Sequence, residues 1–341
     1  MSAQETKPRG AATGEVALIE QIRRRAGRGL QGGLRLGIGD DCALLAVRAG
    51  EELAVTTDLS IAGRHFRLDW HQPESVGHRA LARGLSDLAA MGARPMAAFL
   101  SLGLPKDLTA ARGRARPWVE RFLDGLLALA ELYKVPLAGG DLAESPLALA
   151  DIVLVGAVPQ GKALLRSGAR VGDYLYVTGT LGGAAAGLAR LAELAAGGSQ
   201  PPRIPKRLES LLAQHGYPQP RIAQGLWLRR NGKATAALDL SDGLSTDLAH
   251  ICAESGVAAE VDAAALPVQT GTTLAQALHG GEDYELLFTA RPDARLPRVV
   301  AGLPLTKIGR IVRRGSGQAQ VTLMTQQGAQ PLEAHGWEHF A

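Results

Sequence analysis

The chain is poor in cysteine, in aromatic residues and in long apolar runs, and each shortage excludes a class of protein. Its two cysteines, Cys42 and Cys252, cannot build a disulfide framework or a four-cysteine zinc site. They read as reduced thiols, as expected of a cytoplasmic protein. Aromatics make up 4% of the residues, and no basic stripe interleaved with aromatics runs through the sequence; this argues against a nucleic-acid partner. No apolar run approaches the roughly 18 residues of a membrane helix. The stretch Ile152–Val158 is short and follows Asp151. Met1 to Gly14 is polar and has no apolar signal core, so neither membrane insertion nor secretion is expected. The net charge of +4 rests largely on scattered arginines; the cluster Arg23, Arg24, Arg25 and Arg28 fits a solvated helix end.

What is present is a globular chain of 341 residues, 46% hydrophobic and with 42 glycines, a length that suits about two domains. Periodicity predicts helices over 15–26, 73–91 and 109–133, the last with Val119, Phe122, Leu123, Leu126 and Leu127 on one face. Strands are predicted over 51–58, 96–104, 135–138 and 148–158. After Pro159 the pattern restarts. Strands at 173–177, 234–239, 258–262 and 284–289 alternate with an Ala-rich helix after Gly183 and a helix ending at Glu254, and 201–205 reads as a surface loop. The fold class is α/β (α+β), with mixed sheets flanked by helices. The boundary near Pro159-Gln160-Gly161 gives domains of 15–158 and 159–341.

The aspartates occupy unusual places. Asp40-Asp41 follow Gly37-Ile38-Gly39; Asp58 is expected to end a strand after Thr56-Thr57; Asp87 lies on an apolar helix. Asp141 follows Gly139-Gly140 at an expected strand end, Asp239 ends another strand, and Asp242 is expected to open the next helix. Ligands of open α/β sheets bind outside the carboxyl ends of strands. Capping or turn formation accounts for any one of these residues, but not for the set. Converging carboxylates repel one another unless cations lie between them, and carboxylate and hydroxyl oxygens suit Mg²⁺.

Phosphate handling follows no common motif. There is no G-x-x-x-x-G-K-[ST] loop and no complete G-x-G-x-x-G after a strand. The Gly179–Gly183 loop precedes a helix whose first N–H groups are an anion-site candidate, and a tight connection explains it equally well. Arg166 is a candidate phosphate clamp, although a plain surface arginine is the simpler reading.

Six motifs occur in order: Gly-Ile-Gly-Asp-Asp (37–41), Thr-Thr-Asp (56–58), Ser-Asp-Leu-Ala-Ala-Met-Gly-Ala (86–93), Gly-Gly-Asp (139–141), Leu-Ser-Asp-Gly-Leu (240–244) and Gly-Gly-Glu-Asp-Tyr-Glu-Leu (280–286). Together, over roughly residues 15 to 340, they resemble the thiamine-monophosphate kinase family. The resemblance implies a two-domain aminoimidazole-ribonucleotide-synthetase-like architecture. It also implies ATP bound without a P-loop, and a homodimer built by the N-terminal domains. Carried over by motif, metal ligands would be Asp41, Thr56, Thr57, Asp58, Asp87, Asp141, Asp239 and Asp242, with Asp58, Asp87 and Asp141 the most critical. ATP would meet Gly140, Asp141, Arg166 and Ser241; thiamine monophosphate would meet His65, Glu282 and Trp337. Several Mg²⁺ ions are implied, with K⁺ as a further candidate. Leu142 departs from the family's frequent Thr, and Gly182-Gly183-Ala184 from its frequent Gly-Asp-Ser.

The residue types agree with such chemistry. An acceptor that is a phosphate monoester is already anionic near neutrality and needs no general base. What it needs is charge cancellation and in-line alignment. This explains a sequence rich in placed aspartates and without an obvious Ser–His or Cys–His pair. Competing readings are another ATP-using synthetase of the superfamily, a metal-dependent phosphatase and a non-catalytic nucleotide-binding regulator. Selenophosphate synthetases typically carry a reactive N-terminal cysteine, and no Cys precedes Gly37.

Overall fold

The apolar runs of the first half pair into a four-stranded sheet with two long helices on one face. The computed structural model describes residues 14–26, 32–39, 41–111, 113, 115–197, 204, 206, 209–315 and 319–337. The N-terminal tail and most of 201–205 therefore lie outside the described residues. Helix α1 (Glu15–Ala26) turns Leu18 and Ile22 inward, and a short ladder joins β1 (Leu34–Leu36) to β2 (Leu44–Leu45). Then follow β3 (Glu51–Ile61), α2 (Pro73–Ala90), β4 (Arg94–Leu104), α3 (Trp118–Leu132), β5 (Leu137–Glu144) and β6 (Leu149–Pro159). The sheet order is β3-β6-β4-β5. β4 and β5 run parallel, and the other neighbours run antiparallel.

Helix α2 starts on Pro73, whose fixed φ and missing N–H suit a first helical position. It packs backbone to backbone on α3. A Cβ on Gly77 would stand 1.9 Å from the Phe122 carbonyl oxygen, and one on Gly125 would stand 1.8 Å from that of Glu74. Leu81, Leu85 and Leu88 then share one core with Phe122, Leu126, Ile152 and Leu154. Full burial of such side chains contributes roughly 1.5–3 kcal/mol each.

Three elements differ from the sequence expectation. The helix expected over 109–133 begins at Trp118, with Pro117 extended at its N-cap. A proline disfavours helical geometry in the residue before it, so the apolar period cannot extend upstream. Strand β3 continues past Asp58 to Ile61, with Asp58 opposite Ile152, so Asp58 lies inside the strand rather than at its end. Strand β5 runs on through Gly139-Gly140-Asp141, because β4 pairs with it as far as Leu104. Gly140 is not a turn former here: a Cβ on it would stand 1.9 Å from the Leu100 carbonyl oxygen.

The second half comprises β7 (Tyr174–Thr178), α4 (Gly183–Ala196), α5 (Glu209–Gly216), α6 (Ile222–Arg230), β8 (Ala236–Asp239) and α7 (Leu244–Ser255). It continues with β9 (Ala258–Asp262), α8 (Leu274–His279), β10 (Leu286–Ala290), β11 (Val299–Val300), β12 (Leu303–Val312), β13 (Val321–Thr325) and β14 (Gly328–Pro331). The sheet order is β14-β13-β9-β12-β7-β10-β8, with β11 paired to β12. β13 and β9 pair in parallel. Strand alternation places the two faces of β10 in different cores. Leu287 joins Leu248, Ile251 and Leu278 of α7 and α8. Leu286 and Phe288 join the core that holds Leu85 of α2 and Ile222 and Leu228 of α6. The apolar core thus runs without a break from the first sheet to the second, and α2 lies between them. Among the described residues no helix is long and apolar enough to cross a membrane.

Candidate active site

A cavity of about 480 Å³ opens where β3 and α2 face the loops of the second sheet. Its acidic wall is formed by Asp58 on β3, Asp87 on α2, Asp239 at the end of β8 and Asp242 in the turn that follows; Thr57 and Ser241 also line it. Asp58, Asp87 and Asp239 are each held from within the chain. Arg83 Nη2 lies 2.9 Å from Asp58 Oδ1, Thr56 Oγ1 donates to Asp87, and Ser86 Oγ donates to Asp239 Oδ2 at 2.6 Å. Burial pushes the Asp58 carboxyl up to about 6. Arg83 opposes this, and the charges of Asp87, Asp151 and Asp242 add to it. Asp87 is also raised by burial, against the Thr56 hydrogen bond and the charges of Arg166 and Arg83. Asp239 is raised well above the carboxylate range by burial and then by Asp87. Such a set favours a bound cation, which would relieve the repulsion.

The turn carrying Asp242 is organised by a residue that the sequence reading missed. Asp247, buried on the first turn of α7, accepts from the N–H groups of Asp242 and Gly243, both at 3.0 Å. Burial and the Asp242 charge push it up to about 7. Asp242 does not itself open the helix, since α7 starts at Leu244 behind Gly243 at φ 114°. An acid on the first helical turn was the available signal.

His65, Glu282 and Trp337 line the same cleft. His65 Nδ1 accepts from the Ile61 N–H at 3.1 Å, and the Trp337 indole is half exposed. Neighbours that the sequence did not reveal are Arg67, which stacks 4.4 Å over the Trp70 ring, and the buried pair His71 and His215.

The loop before α4 is not an open anion site. Asp283 accepts from the N–H of Gly182 at 2.6 Å and of Ala184 at 3.1 Å, so the chain's own carboxylate occupies the helix N-terminus. Beside it, a Cβ on Gly183 would overlap Gln214 Oε1, so the Gln214 side chain fills the space a side chain there would take.

The remaining sequence-named residues lie elsewhere. Asp41, Gly140 and Asp141 line a second cavity of about 570 Å³, together with Cys42 and Gly37 to Gly39. Exposed Arg166 lines neither cavity, although its charge acts on Asp87 and Asp247. Among the described residues, no three His, Cys, Asp or Glu side chains already converge as a metal-ligand group. Both cysteines are free thiols; Cys42 is exposed, and burial pushes buried Cys252 up to about 12.

Comparison with known proteins gives two consecutive matches. Residues 39–158 match the N-terminal domain of AIR synthase related proteins, and 170–322 match the C-terminal domain. A thiamine-monophosphate kinase of Escherichia coli K12 is 41% identical over 97% of this chain and 99% of its own length. One of Salmonella typhimurium is 40% identical over the same shares. The crystal structure of a thiamine-monophosphate kinase from Stenotrophomonas maltophilia superposes with a TM-score of 0.76, at 40% identity over 92% of this chain and 97% of that one. That of AaThiL complexed with AMPPCP and TMP gives 0.73, at 32% identity over 96% and 97%. The Escherichia coli hydrogenase maturation protein HypE gives 0.71 at 19% identity over 94% and 98%, a likeness of fold alone.

Proposed function

This chain belongs to the AIR synthase related family and, within it, to the thiamine-monophosphate kinases, and from that premise we propose that it transfers the γ-phosphoryl group of ATP to thiamine monophosphate. The products are ADP and thiamine diphosphate. A bond forms between an acceptor phosphate oxygen and the γ-phosphorus, and the bond from that phosphorus to the β,γ-bridging oxygen breaks. The observation that carries this reading is the meeting, in one cleft, of the carboxylate wall with Glu282 and Trp337. The first suits a polyphosphate–metal complex, the second an aromatic cation.

The donor set fits Mg²⁺: it is all oxygen, and burial with neighbouring carboxylates raises Asp58 and Asp239 within it. We assign its binding to Thr56, Thr57, Asp58, Asp87, Asp239 and Asp242, with Asp41 and Asp141 contributing from the second cavity. When bound there, Mg²⁺ supplies cancellation of the repulsion between donor and acceptor phosphates. The protein's own residues hold the two phosphates in line. Ser241, Arg166, Gly140 and Asp141 are assigned to the nucleotide, and His65, Glu282 and Trp337 to the acceptor. No side chain need take a proton from the nucleophile, which is already an anion.

We divide the work between residues 15–158, which would bind nucleotide and metal, and 159–341, which would complete the cleft. A homodimer through the N-terminal half is supported by β3. This edge strand pairs only with β6 and turns Leu53, Val55 and Leu59 to solvent on one face. A cytoplasmic setting suits two free thiols.

The test is product analysis with ATP, Mg²⁺ and a panel of phosphorylated acceptors. Thiamine diphosphate appearing in step with ADP supports the kinase. Orthophosphate released without a phosphorylated acceptor would assign a phosphatase, and nucleotide binding without turnover a regulator.

A further inference from the structure

Glu282 stands in a backbone conformation that few side-chain-bearing residues adopt. Its φ is 67°, left-handed, between Gly281 and a strand that begins only at Leu286. The segment is pinned, since the Glu282 N–H donates to the Ser241 carbonyl at 2.8 Å and a Cβ on Gly281 would stand 2.6 Å from that same oxygen. Left-handed geometry is unfavourable for a residue that carries a Cβ. It is retained where surroundings over-determine it.

Those surroundings are three buried side chains drawn from both halves of the molecule. Arg79 on α2 donates to Glu282 Oε1. His215 on α5 brings Nδ1 to 3.3 Å from Oε2, within ion-pair reach but outside hydrogen-bond alignment. His71, which precedes α2, brings Nε2 to 3.0 Å from His215 Nε2. The two rings are tilted by 52°, so the nitrogens meet edge to edge rather than in a stack. Glu282 itself keeps 26% of its side chain exposed, facing the cleft.

Hydrogen-bond accounting leaves one arrangement for two neutral rings. A nitrogen facing a carboxylate must carry the proton, so His215 has Nδ1–H toward Glu282 and a bare Nε2. The bare Nε2 needs a donor, which is His71 Nε2–H. That leaves His71 Nδ1 bare, and it accepts from the Arg67 N–H at 3.1 Å. The Arg67 carbonyl, 3.2 Å from the same Nδ1, would serve only a ring with the opposite tautomer. Burial and the Arg79 charge keep both rings neutral, and Arg79 with His215 outweighs burial to hold the Glu282 carboxyl well below its usual range.

We propose that Arg79, His215 and His71 are positioning residues that hold the Glu282 carboxylate toward the acceptor's organic cation, through a one-directional chain of neutral imidazoles reaching back to the Arg67 backbone. The inference rests on the reading of this cleft as the thiamine monophosphate site. The imidazoles touch no substrate themselves. They fix the charge, the direction and the backbone of the one anion that meets a thiazolium ring, and thereby select for a cationic acceptor.

The test combines kinetics with a direct view of the rings. In His215→Leu, which leaves one Glu282 oxygen without its facing imidazole nitrogen, the acceptor KM should rise about 10-fold, while kcat and the ATP KM stay within about two-fold. His215→Asn, whose side-chain amide can place an N–H near the position of Nδ1–H, should recover most of that loss. Long-range proton–nitrogen spectra of the full-length wild type should show His215 as the Nδ1–H tautomer and His71 as the Nε2–H tautomer. Two rings of the same tautomer, or a protonated ring at pH 7.5, would overturn the proposal, and this measurement needs no variant to fold. Turnover of thiamine monophosphate with an acceptor KM unmoved by His215→Leu overturns this inference alone. A wild-type chain that does not turn over thiamine monophosphate overturns the functional reading and this inference with it.

Discussion

Ser86 Oγ donates to Asp239 Oδ2 at 2.6 Å, a bond that joins α2 of the first half to the last residue of β8 in the second. It fixes one carboxylate of the acidic wall beside Asp87, whose charge raises it further. Asp239→Asn should keep the bond, because an amide oxygen accepts equally well, while one repelling charge is removed. The apo variant is expected to melt no lower than wild type. Its phosphoryl-transfer rate, and that of Asp87→Asn, should fall by at least ~100-fold, since a lost ligand removes several kcal/mol of charge stabilisation. Thermal melts and rates at saturating Mg²⁺ check both parts; near-wild-type turnover in the two variants would remove the metal-site assignment.

The chain around Trp337 is tied into the fold through its main chain. The Trp337 N–H donates to the Asp242 carbonyl at 3.1 Å, and the preceding Gly336 N–H donates to Thr246 Oγ1 at 3.0 Å. With the tail tied by main chain and Trp337 50% exposed at the cleft, Trp337→Ala should still fold. A cation–π contact worth up to about 2 kcal/mol then predicts an acceptor KM raised roughly 10- to 30-fold, with that for ATP unmoved. A lower melting temperature with both Michaelis constants intact would assign the ring to tail anchoring.

How much of this was readable in advance depended on the range of the cause. Glu15–Ala26 and Ala258–Asp262 were legible residue for residue, because period and flanking residues are local properties. The helix start at Trp118 was misplaced where Pro117 outweighs a continuing apolar run. Gly140 was expected at a strand end, whereas it lies inside β5 in close approach to β4, which no local pattern encodes. Asp58, Asp87, Asp239 and Asp242 were legible as a set and do share one cleft. Asp41 and Asp141 line another cavity, a separation set by sheet order rather than spacing. Least legible were His71 with His215, 144 positions apart, and Asp283, whose hold on the Gly182 N–H spans 101. Both contacts exist only once distant parts of the chain have folded together.

The exposed face of β3 makes a prediction about assembly. Val55 is 61% exposed, and Leu53 and Leu59 flank it at the two-residue period that places all three on one side of the strand. An apolar edge strand left in water invites pairing with another chain. Wild type should therefore sediment as a dimer, and Val55→Glu, which would bury a charge in the interface, should shift it to monomer at micromolar concentration. A monomeric wild type, or a variant as dimeric as wild type, would remove β3 as the contact surface.

The paired imidazoles also predict how stability responds to acid. Burial, then the charges of Arg79 and His215, lowers the His71 ring from 6.5 to about 3. Between those values the unfolded chain binds a proton that the folded chain refuses. Stability from this ring is therefore complete above about pH 6.5 and lost as pH falls toward 3. Asp58 and Asp247, raised to about 6 and about 7, act in the opposite sense: the folded chain keeps protons the unfolded chain has released, so each costs stability as pH rises from 3.8. Wild-type melting alone mixes the two. His71→Gln separates them, because a glutamine amide can donate to His215 Nε2 from a position like that of His71 Nε2 and does not titrate. At pH 5 the wild-type ring costs about 2 kcal/mol, equivalent to roughly 3 °C in Tm. The variant should melt close to wild type at pH 7.5 and then lose less on acidification, with the gap between the two curves widening steadily down to pH 5. Parallel curves would mean that His71 titrates normally in the folded chain.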